Sequence, residues 1–389
     1  MNGLNVLNRL PEEWNDLTEI IVYGYGRVGV RNIGKLYEDI RIKYIIDNNP
    51  ELQGVKYHDI TIQNFEQVKE HIQGEKIIVA TSALAYASIS KELQDFGLKE
   101  FQDFCRLEDF MPEWYWKNKH EVCLSQFFSS VTSRCTFKCK HCNMLMPRFT
   151  QDNHYDYTAE DILSDFDAFF KRVDYLTSYS VLGGEPLLNK ELSKILEMVF
   201  DKYSTRIGYI QLITNGSIVP DQELIRVIKK CGIHVRLSDY THAVPYGKKL
   251  QQVKDTLTEN GVPYSMSIYE TWMDLGFPEK ILPIGQTSEE TRQHMLLCSP
   301  GCHILSEKKI YFCGLIFSAE RCGLYQLQEG DYIDLEVSNE AKEEKEEILK
   351  YCLGCVKNGY ISACRVCRGS GSDNTHVIGV AEQLGSTIK

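Results

Sequence analysis

The residues Val131-Thr132-Ser133-Arg134-Cys135-Thr136-Phe137-Lys138-Cys139-Lys140-His141-Cys142 decide how this chain is read. A short stretch with strand character ends at Arg134, and a CxxxCxxC loop follows. Thiolate sulfur is the ligand that iron–sulfur clusters require, and three thiolates on one short loop can bind three irons of a cubane while leaving the fourth open. Zinc is the alternative, but a structural zinc site wants four ligands, so the loop would have to recruit another. His141 is on offer, yet its neighbour Cys142 makes simultaneous ligation of one ion strained. Taken alone, the loop leaves iron–sulfur, zinc and plain buried thiols open.

Downstream, helical and extended patterns alternate. Helices are expected over 159–171, 190–202, 221–230 and 248–260, with strands over 178–182, 209–213, 233–237 and 263–268. That succession describes a partial (β/α) barrel, whose site lies at the carboxyl ends of its strands. At those ends stand Gly183-Gly184-Glu185, then Thr214-Asn215-Gly216, then Ser238. Glycine makes sense there, because a residue without a side chain lets backbone approach a ligand closely.

Together these residues resemble the radical S-adenosylmethionine (SAM) superfamily over about residues 124–285. The resemblance implies a 4Fe-4S cluster on Cys135, Cys139 and Cys142, its open iron chelated by the amino and carboxylate groups of SAM. It also implies that the edge at Gly183, Gly184 and Glu185 meets the methionine amino group, that Asn215 and Ser238 help hold the cofactor, and that His141 lies beside the adenine. In that family a reduced cluster passes one electron to the sulfonium, and a 5′-deoxyadenosyl radical takes hydrogen from a substrate. A reductant such as flavodoxin or ferredoxin is then a partner. No quenching residue is singled out; Tyr264, Glu270 and Trp272, on or after the last strand, are candidates.

After about residue 290 cysteines dominate: Cys298, Cys302, Cys313, Cys322, Cys352-x-x-Cys355 and Cys364-x-x-Cys367. Two CxxC pairs with upstream cysteines are a metal signal. The arrangement resembles the SPASM and twitch extensions of the same superfamily, which hold auxiliary 4Fe-4S clusters. That resemblance assigns Cys298, Cys313, Cys352 and Cys355 to one cluster and leaves Cys302, Cys364 and Cys367 as extra ligands. The spacing departs from the two-cluster pattern, with eight residues between Cys355 and Cys364 and two between Cys364 and Cys367, so one or two auxiliary clusters are expected. Zinc is the rival. Cys105, Cys123 and Cys231 stand in apolar or unclustered surroundings and read as packing residues. The Glu- and Lys-rich run 339–350 reads as a solvated helix.

At the amino end, the apolar run 19–23 precedes Gly24-Tyr25-Gly26-Arg27-Val28-Gly29 and a helical stretch, and further strands end at Asp47 and before Thr81. This is a doubly wound α/β unit, and Gly24, Gly26, Gly29 and Asp47 fit the dinucleotide spacing. It resembles the small Rossmann-like domain found beside sugar-modifying transferases of surface polysaccharide pathways. Nucleotide binding and pure scaffolding both remain open. Between 101 and 120 no clean period is visible, and a boundary is expected there.

The chain of 389 residues, 43% hydrophobic, can bury a large core and divides into an expected Rossmann-like domain 1–118, partial barrel 119–290 and auxiliary-cluster domain 291–389. A net charge of −11 offers no overall positive field for nucleic acid or an anionic membrane. No run of about 18 apolar residues appears, and residues 1–14 lack the apolar core of a signal peptide, so a cytoplasmic protein is expected. Fourteen cysteines there read as metal ligands or buried thiols, not disulfides. The leading functional expectation is radical modification of a small polar substrate such as a nucleotide-activated sugar. Maturation of a ribosomally made peptide and a zinc-bound, non-catalytic binding protein are the alternatives. A nicotinamide dehydrogenase is disfavoured, because nothing after residue 120 looks built for hydride transfer.

Overall fold

The computed structural model describes residues 9–277, 287–298, 303–336 and 341–385. The chain divides into two compact units, Met1–Ser125 with Val173–Thr177, and Gln126–Arg172 with Ser178–Lys389.

In the first unit, β1 (Glu19–Tyr23), β2 (Arg41–Ile46), β3 (Lys56–Tyr57), β4 (Ile60–Gln63), β5 (Lys76–Val79) and β6 (Phe104–Arg106) form one sheet in the order β3-β4-β2-β1-β5-β6. Helices α1 (Arg27–Asp39), α2 (Phe65–Val68), α3 (Ala83–Asp95) and α4 (Leu107–Lys119) join or follow them. β1 pairs in parallel with both β2 and β5, so the chain winds one way and then the other from β1. That reversal makes the unit doubly wound. β1 and β5 are buried almost throughout instead of alternating, as parallel strands covered on two faces must be.

The stretch from 101 to 120, which reads as patternless, in fact holds β6 and α4. Leu107, Phe110, Met111, Trp114 and Tyr115 are buried at helical spacing, and Pro112 sits inside the helix. Proline and a dense mix of aromatic and charged residues hide the period in the sequence. The first compact unit extends to Ser125 and takes in Val173–Thr177.

In the second unit, β7 (Cys123–Ser130), β8 (Tyr175–Leu182), β9 (Ile207–Thr214), β10 (His234–Asp239) and β11 (Tyr264–Ile268) stand in chain order, with α5 (Ala159–Phe169), α6 (Leu192–Tyr203), α7 (Gln222–Cys231) and α8 (Gly247–Glu259) between successive strands. β9, β10 and β11 pair in parallel. Sequential order with a helix at every crossover is a β/α barrel left open. Local chemistry fixes the helix ends: the Asp221 side chain caps α7 by accepting from Leu224 N–H at 2.8 Å, and Gly232 closes it at φ +60.

After β12 (Thr271–Met273) and α9 (Ser288–Leu297), the cysteine-rich segment does not stand apart. β13 (His303–Ser306) pairs in parallel with β7, and β14 (Lys309–Tyr311), α10 (Gly314–Arg321) and β15 (Tyr332–Asp334) carry the sheet outward to give β11-β10-β9-β8-β7-β13-β14-β15. Then come α11 (Ala341–Cys352) and β16 (Val377–Gly379), which pairs with β12 in a two-stranded antiparallel ribbon. Cys105, Cys123 and Cys231 are buried, as packing residues should be. Among the described residues no helix is long and apolar enough to cross a membrane.

Candidate radical cofactor site and nucleotide cavity

The CxxxCxxC loop leaves β7 at the carboxyl edge of the sheet. Cys139 is buried in an apolar cluster with Phe137, Val380 and Ala381, and Cys135 and Cys142 pack against the same cluster. Tyr246 stands edge-on to Phe137 at 4.9 Å, and Tyr240 to Trp272 at 5.6 Å. These rings shield the loop from water. Burial pushes the thiols up, Cys135 to about 12 and Cys139 to about 11. Such thiols ionise only when a cation replaces the lost hydration, so metal binding here must release protons.

Among the described residues no three His, Cys, Asp or Glu side chains converge tightly enough to hold one ion. A cubane makes no such demand, because each thiolate ligates a different iron. Three sulfurs on one loop, one buried and two half-buried among aromatic and aliphatic groups, fit the donor set of a 4Fe-4S cluster with one open iron.

Gly183 and Gly184 sit beside this loop for a reason the sequence does not disclose. Gly184 N–H donates to the Thr132 carbonyl at 2.8 Å and Glu185 N–H to the Arg134 carbonyl at 2.8 Å. A Cβ on Gly184 would lie 2.2 Å from the Arg134 oxygen and 2.8 Å from Cys135 Cβ, and one on Gly183 2.7 Å from the Thr132 oxygen. What excludes a side chain is thus the backbone of the cysteine loop itself.

Glu185 is fully buried. It accepts from Thr214 Oγ1 at 2.7 Å, Asn215 N–H at 2.9 Å and Leu187 N–H at 3.2 Å, tying the end of β8 to the end of β9. Asn215 in turn reaches Thr136 Oγ1 at 3.1 Å and lies 3.8 Å from Cys135 Sγ. Glu185 therefore acts as a bracket that orients Asn215 against the loop. Ser238 is buried at the end of β10, where its carbonyl accepts from the Tyr246 hydroxyl at 3.2 Å, and His141 is half-buried next to Cys142.

Desolvation raises the Glu185 carboxyl from 4.5 to about 7. Its folded value lies above its unfolded one, so the folded chain holds a proton that the unfolded chain has lost, and stability falls as pH rises from about 4.5 to about 7. Glu185→Gln should flatten this dependence by on the order of 3 kcal/mol, 1.36 kcal/mol for each unit. Denaturant unfolding of both proteins at pH 5 and pH 8 checks it; an unchanged difference between the two pH values would refute the shift.

In the cysteine-rich segment, Cys298 follows α9, Cys313 caps α10, and Cys364 lies on a short 3-10 turn at Ser362–Arg365. Burial pushes the Cys364 thiol well up, and the nearby Cys313, Cys367 and Cys298 add to it. Ser370 N–H points at Cys298 Sγ (3.4 Å) and Gly369 N–H at Cys367 Sγ (3.2 Å), so two sulfurs already receive backbone donors. Cys352 instead is buried at the end of α11, and its carbonyl accepts from His303 Nε2 at 3.0 Å. The structure thus gathers Cys364 and Cys367, read from sequence as extra ligands, with Cys298 and Cys313. Cys302 lies outside the described residues.

The first unit has its own cavity of about 280 Å³, at the ends of β1, β2 and β5 where the strand order reverses. Gly24, Gly26, Arg27, Asp47, Thr81 and Ser82 line it. Such switch points are where open α/β sheets take ligands. Gly24 has φ +111 and no room for a Cβ against Thr81 and Ala80; Gly29 lets α1 press on the Gly24 carbonyl, which a Cβ would meet at 1.8 Å. Gly26 differs, since a Cβ there would meet nothing within 4 Å. Asp47 is less free than its position in sequence suggests, because its two oxygens accept from Tyr25 N–H at 2.8 Å and Asn49 N–H at 2.9 Å. It shapes the cavity wall.

The sequence missed Gln383, Tyr240 and Tyr246. The two tyrosines follow β10 without any motif, and Gln383 arrives from the far end of the chain.

A sequence model of the Radical SAM superfamily matches residues 129–289. A GTP 3',8-cyclase of Campylobacter jejuni subsp. doylei is 34% identical over 97 residues, 24% of this chain and 28% of that protein. A GTP 3',8-cyclase of Clostridium acetobutylicum is 32% identical over 125 residues, 30% of this chain and 34% of that protein. The chain thus spans about a third or less of the length of these curated relatives. Among solved structures, native anSMEcpe with bound AdoMet aligns at 13% identity and TM-score 0.41, over 64% of this chain and 89% of that one. BtrN in complex with AdoMet and 2-DOIA aligns at 14% and 0.40, over 66% and 100%.

Proposed function

From the premise that residues 129–289 belong to the radical SAM superfamily, which makes the chain an enzyme that binds a 4Fe-4S cluster and SAM, we propose that Cys135, Cys139 and Cys142 hold that cluster. The observation that carries this reading is that Cys139 is buried in an apolar cluster at the carboxyl end of β7, with Cys135 and Cys142 half-buried against the same cluster. When bound, the cluster and SAM supply a 5′-deoxyadenosyl radical that removes hydrogen from a substrate. The chain's own residues bind, orient and exclude water. Phe137, Tyr240, Tyr246 and Trp272 keep the loop dry. Glu185 holds Asn215 against Cys135, Gly183 and Gly184 let the end of β8 close on the cysteine loop, and Ser238 and His141 are the proposed contacts of the cofactor.

Cys298, Cys313, Cys364 and Cys367 are the ligands of one auxiliary cluster in this reading, supported by the packing of Cys313 and Cys367 against one apolar cluster and by the adjacent Gly369 and Ser370 N–H groups aimed at Cys367 and Cys298. Reconstitution under nitrogen should then give about eight irons per chain and 5′-deoxyadenosine on addition of reductant and SAM. Zinc without iron or sulfide would overturn it in favour of a binding protein.

The substrate in this reading is a small polar molecule, and the cavity of the first unit, taken by itself, is a nucleotide site. Support comes from the glycine turn at the start of α1, where backbone N–H groups favour phosphate. A Cβ on Gly26 meets nothing within 4 Å, so Gly26→Phe adds bulk at the cavity without a clash at its first atom. It should weaken binding of UDP-glucose, measured by calorimetry, at least tenfold while leaving the unfolding midpoint in place. Equal affinity in the variant, or no binding to the wild type, would leave the unit as a scaffold for a substrate of another kind, a peptide included.

A further inference from the structure

Beyond β16 the chain returns to the three-thiol loop and lies along it. Lys140 N–H donates to the Glu382 carbonyl at 2.7 Å, Leu384 N–H donates to the Lys138 carbonyl at 2.8 Å, and Cys139 faces Gln383 across an antiparallel bridge. Val380 and Ala381, 3% and 0% exposed, pack into the same cluster as Phe137 and Cys139. Ala381 is held at φ +53, a left-handed conformation that a residue with a side chain adopts only where its surroundings impose it.

The Gln383 amide is used at both ends. Its oxygen accepts from Lys138 N–H at 2.8 Å, while its nitrogen donates to Cys139 Sγ at 3.3 Å and to the Ala381 carbonyl at 2.7 Å. The acceptor end fixes the amide's orientation, so the donor end is committed to the sulfur. Hydrogen bonds to ligand sulfurs and exclusion of solvent are two of the ways a protein sets the potential of an iron–sulfur cluster.

We propose that Gln383 tunes the cluster held by Cys139. Its N–H draws electron density from the ligand sulfur, which favours the reduced cluster with its extra negative charge and raises the midpoint potential. Residues 380–384 form the strap that holds this donor in place and covers Cys139. Gln383 is a positioning residue that acts through the thiolate, and the inference rests on the assignment of Cys135, Cys139 and Cys142 as ligands.

The test uses the full chain, reconstituted anaerobically, in a redox titration followed by electron paramagnetic resonance. The relevant signal is identified by its change when SAM is added. Gln383→Leu should keep its iron and sulfide and shift the midpoint to a more negative potential. Deoxyadenosine formation driven by flavodoxin should then slow several-fold and recover with the stronger reductant titanium(III) citrate. Should Gln383→Leu lose iron, Gln383→Met, which is close in length, uncharged and carries no donor to sulfur, is titrated in its place. An unshifted midpoint in whichever variant keeps its iron overturns the role of Gln383 alone. Absence of a SAM-sensitive signal in the wild type would instead remove the ligand assignment, and this proposal with it.

Discussion

Cys139→Ala should lower bound iron by about four atoms per chain and abolish formation of 5′-deoxyadenosine. A cubane held by three thiolates loses a whole iron's protein ligand when one sulfur is removed, and the alanine methyl cannot replace it. The surroundings add to the loss, because Cys139 lies in a cluster otherwise built of apolar and aromatic side chains around Phe137, Val380 and Ala381. Iron and sulfide counting, with chromatography of the cleavage product, reads both effects. Cys231→Ala is the control: Cys231 is buried on the core face of α7, and its loss should leave iron and cleavage unchanged. Retention of full iron and cleavage in Cys139→Ala would mean that the initiating cluster is bound elsewhere.

Gly184→Ala is expected to act almost as strongly through a single methyl group. A Cβ placed 2.2 Å from the Arg134 carbonyl oxygen and 2.8 Å from Cys135 Cβ cannot be relieved by turning a side chain, because its neighbours belong to the backbone and the first atom of the ligand loop. Either the end of β8 or the loop must move, at a cost of about 3 kcal/mol. The hydrogen bonds from Gly184 and Glu185 to the loop would open with it. The unfolding midpoint and the reconstituted iron should fall, and deoxyadenosine formation should slow at least a hundredfold. Gly26→Ala, at a glycine with nothing within 4 Å of the added atom, should change neither. Equal behaviour of the two variants would show that the loop yields freely at Gly184.

The two glycine motifs look alike in sequence and differ in the structure. Gly183 and Gly184 read as a place for a ligand to approach, yet their neighbours are Thr132 and Arg134 of the same chain. Glu185 reads as part of a cofactor edge, and the fold buries it as the link between the ends of β8 and β9. Asp47 reads as a ribose carboxylate, and both its oxygens already hold backbone N–H groups. In each case the spacing locates the residue, while its bonding partner comes from another strand, which spacing within one motif cannot reveal.

Much was determined by the sequence by itself. Strand and helix periods, the turns that end them and the order in which strand ends carry chemistry are local properties, so the open β/α sheet, the doubly wound amino-terminal unit and the CxxxCxxC loop could be read from residue types and their spacing. The tertiary structure decided what depends on distant partners. It revealed α4, whose period Pro112 and its aromatic neighbours mask in the sequence, joined β13 to β7, placed Cys364 and Cys367 near Cys298 and Cys313, and brought Gln383 onto Cys139. Those contacts come from burial of apolar surface and pairing of backbone groups between segments far apart in the chain, and neither leaves a periodic trace in the sequence.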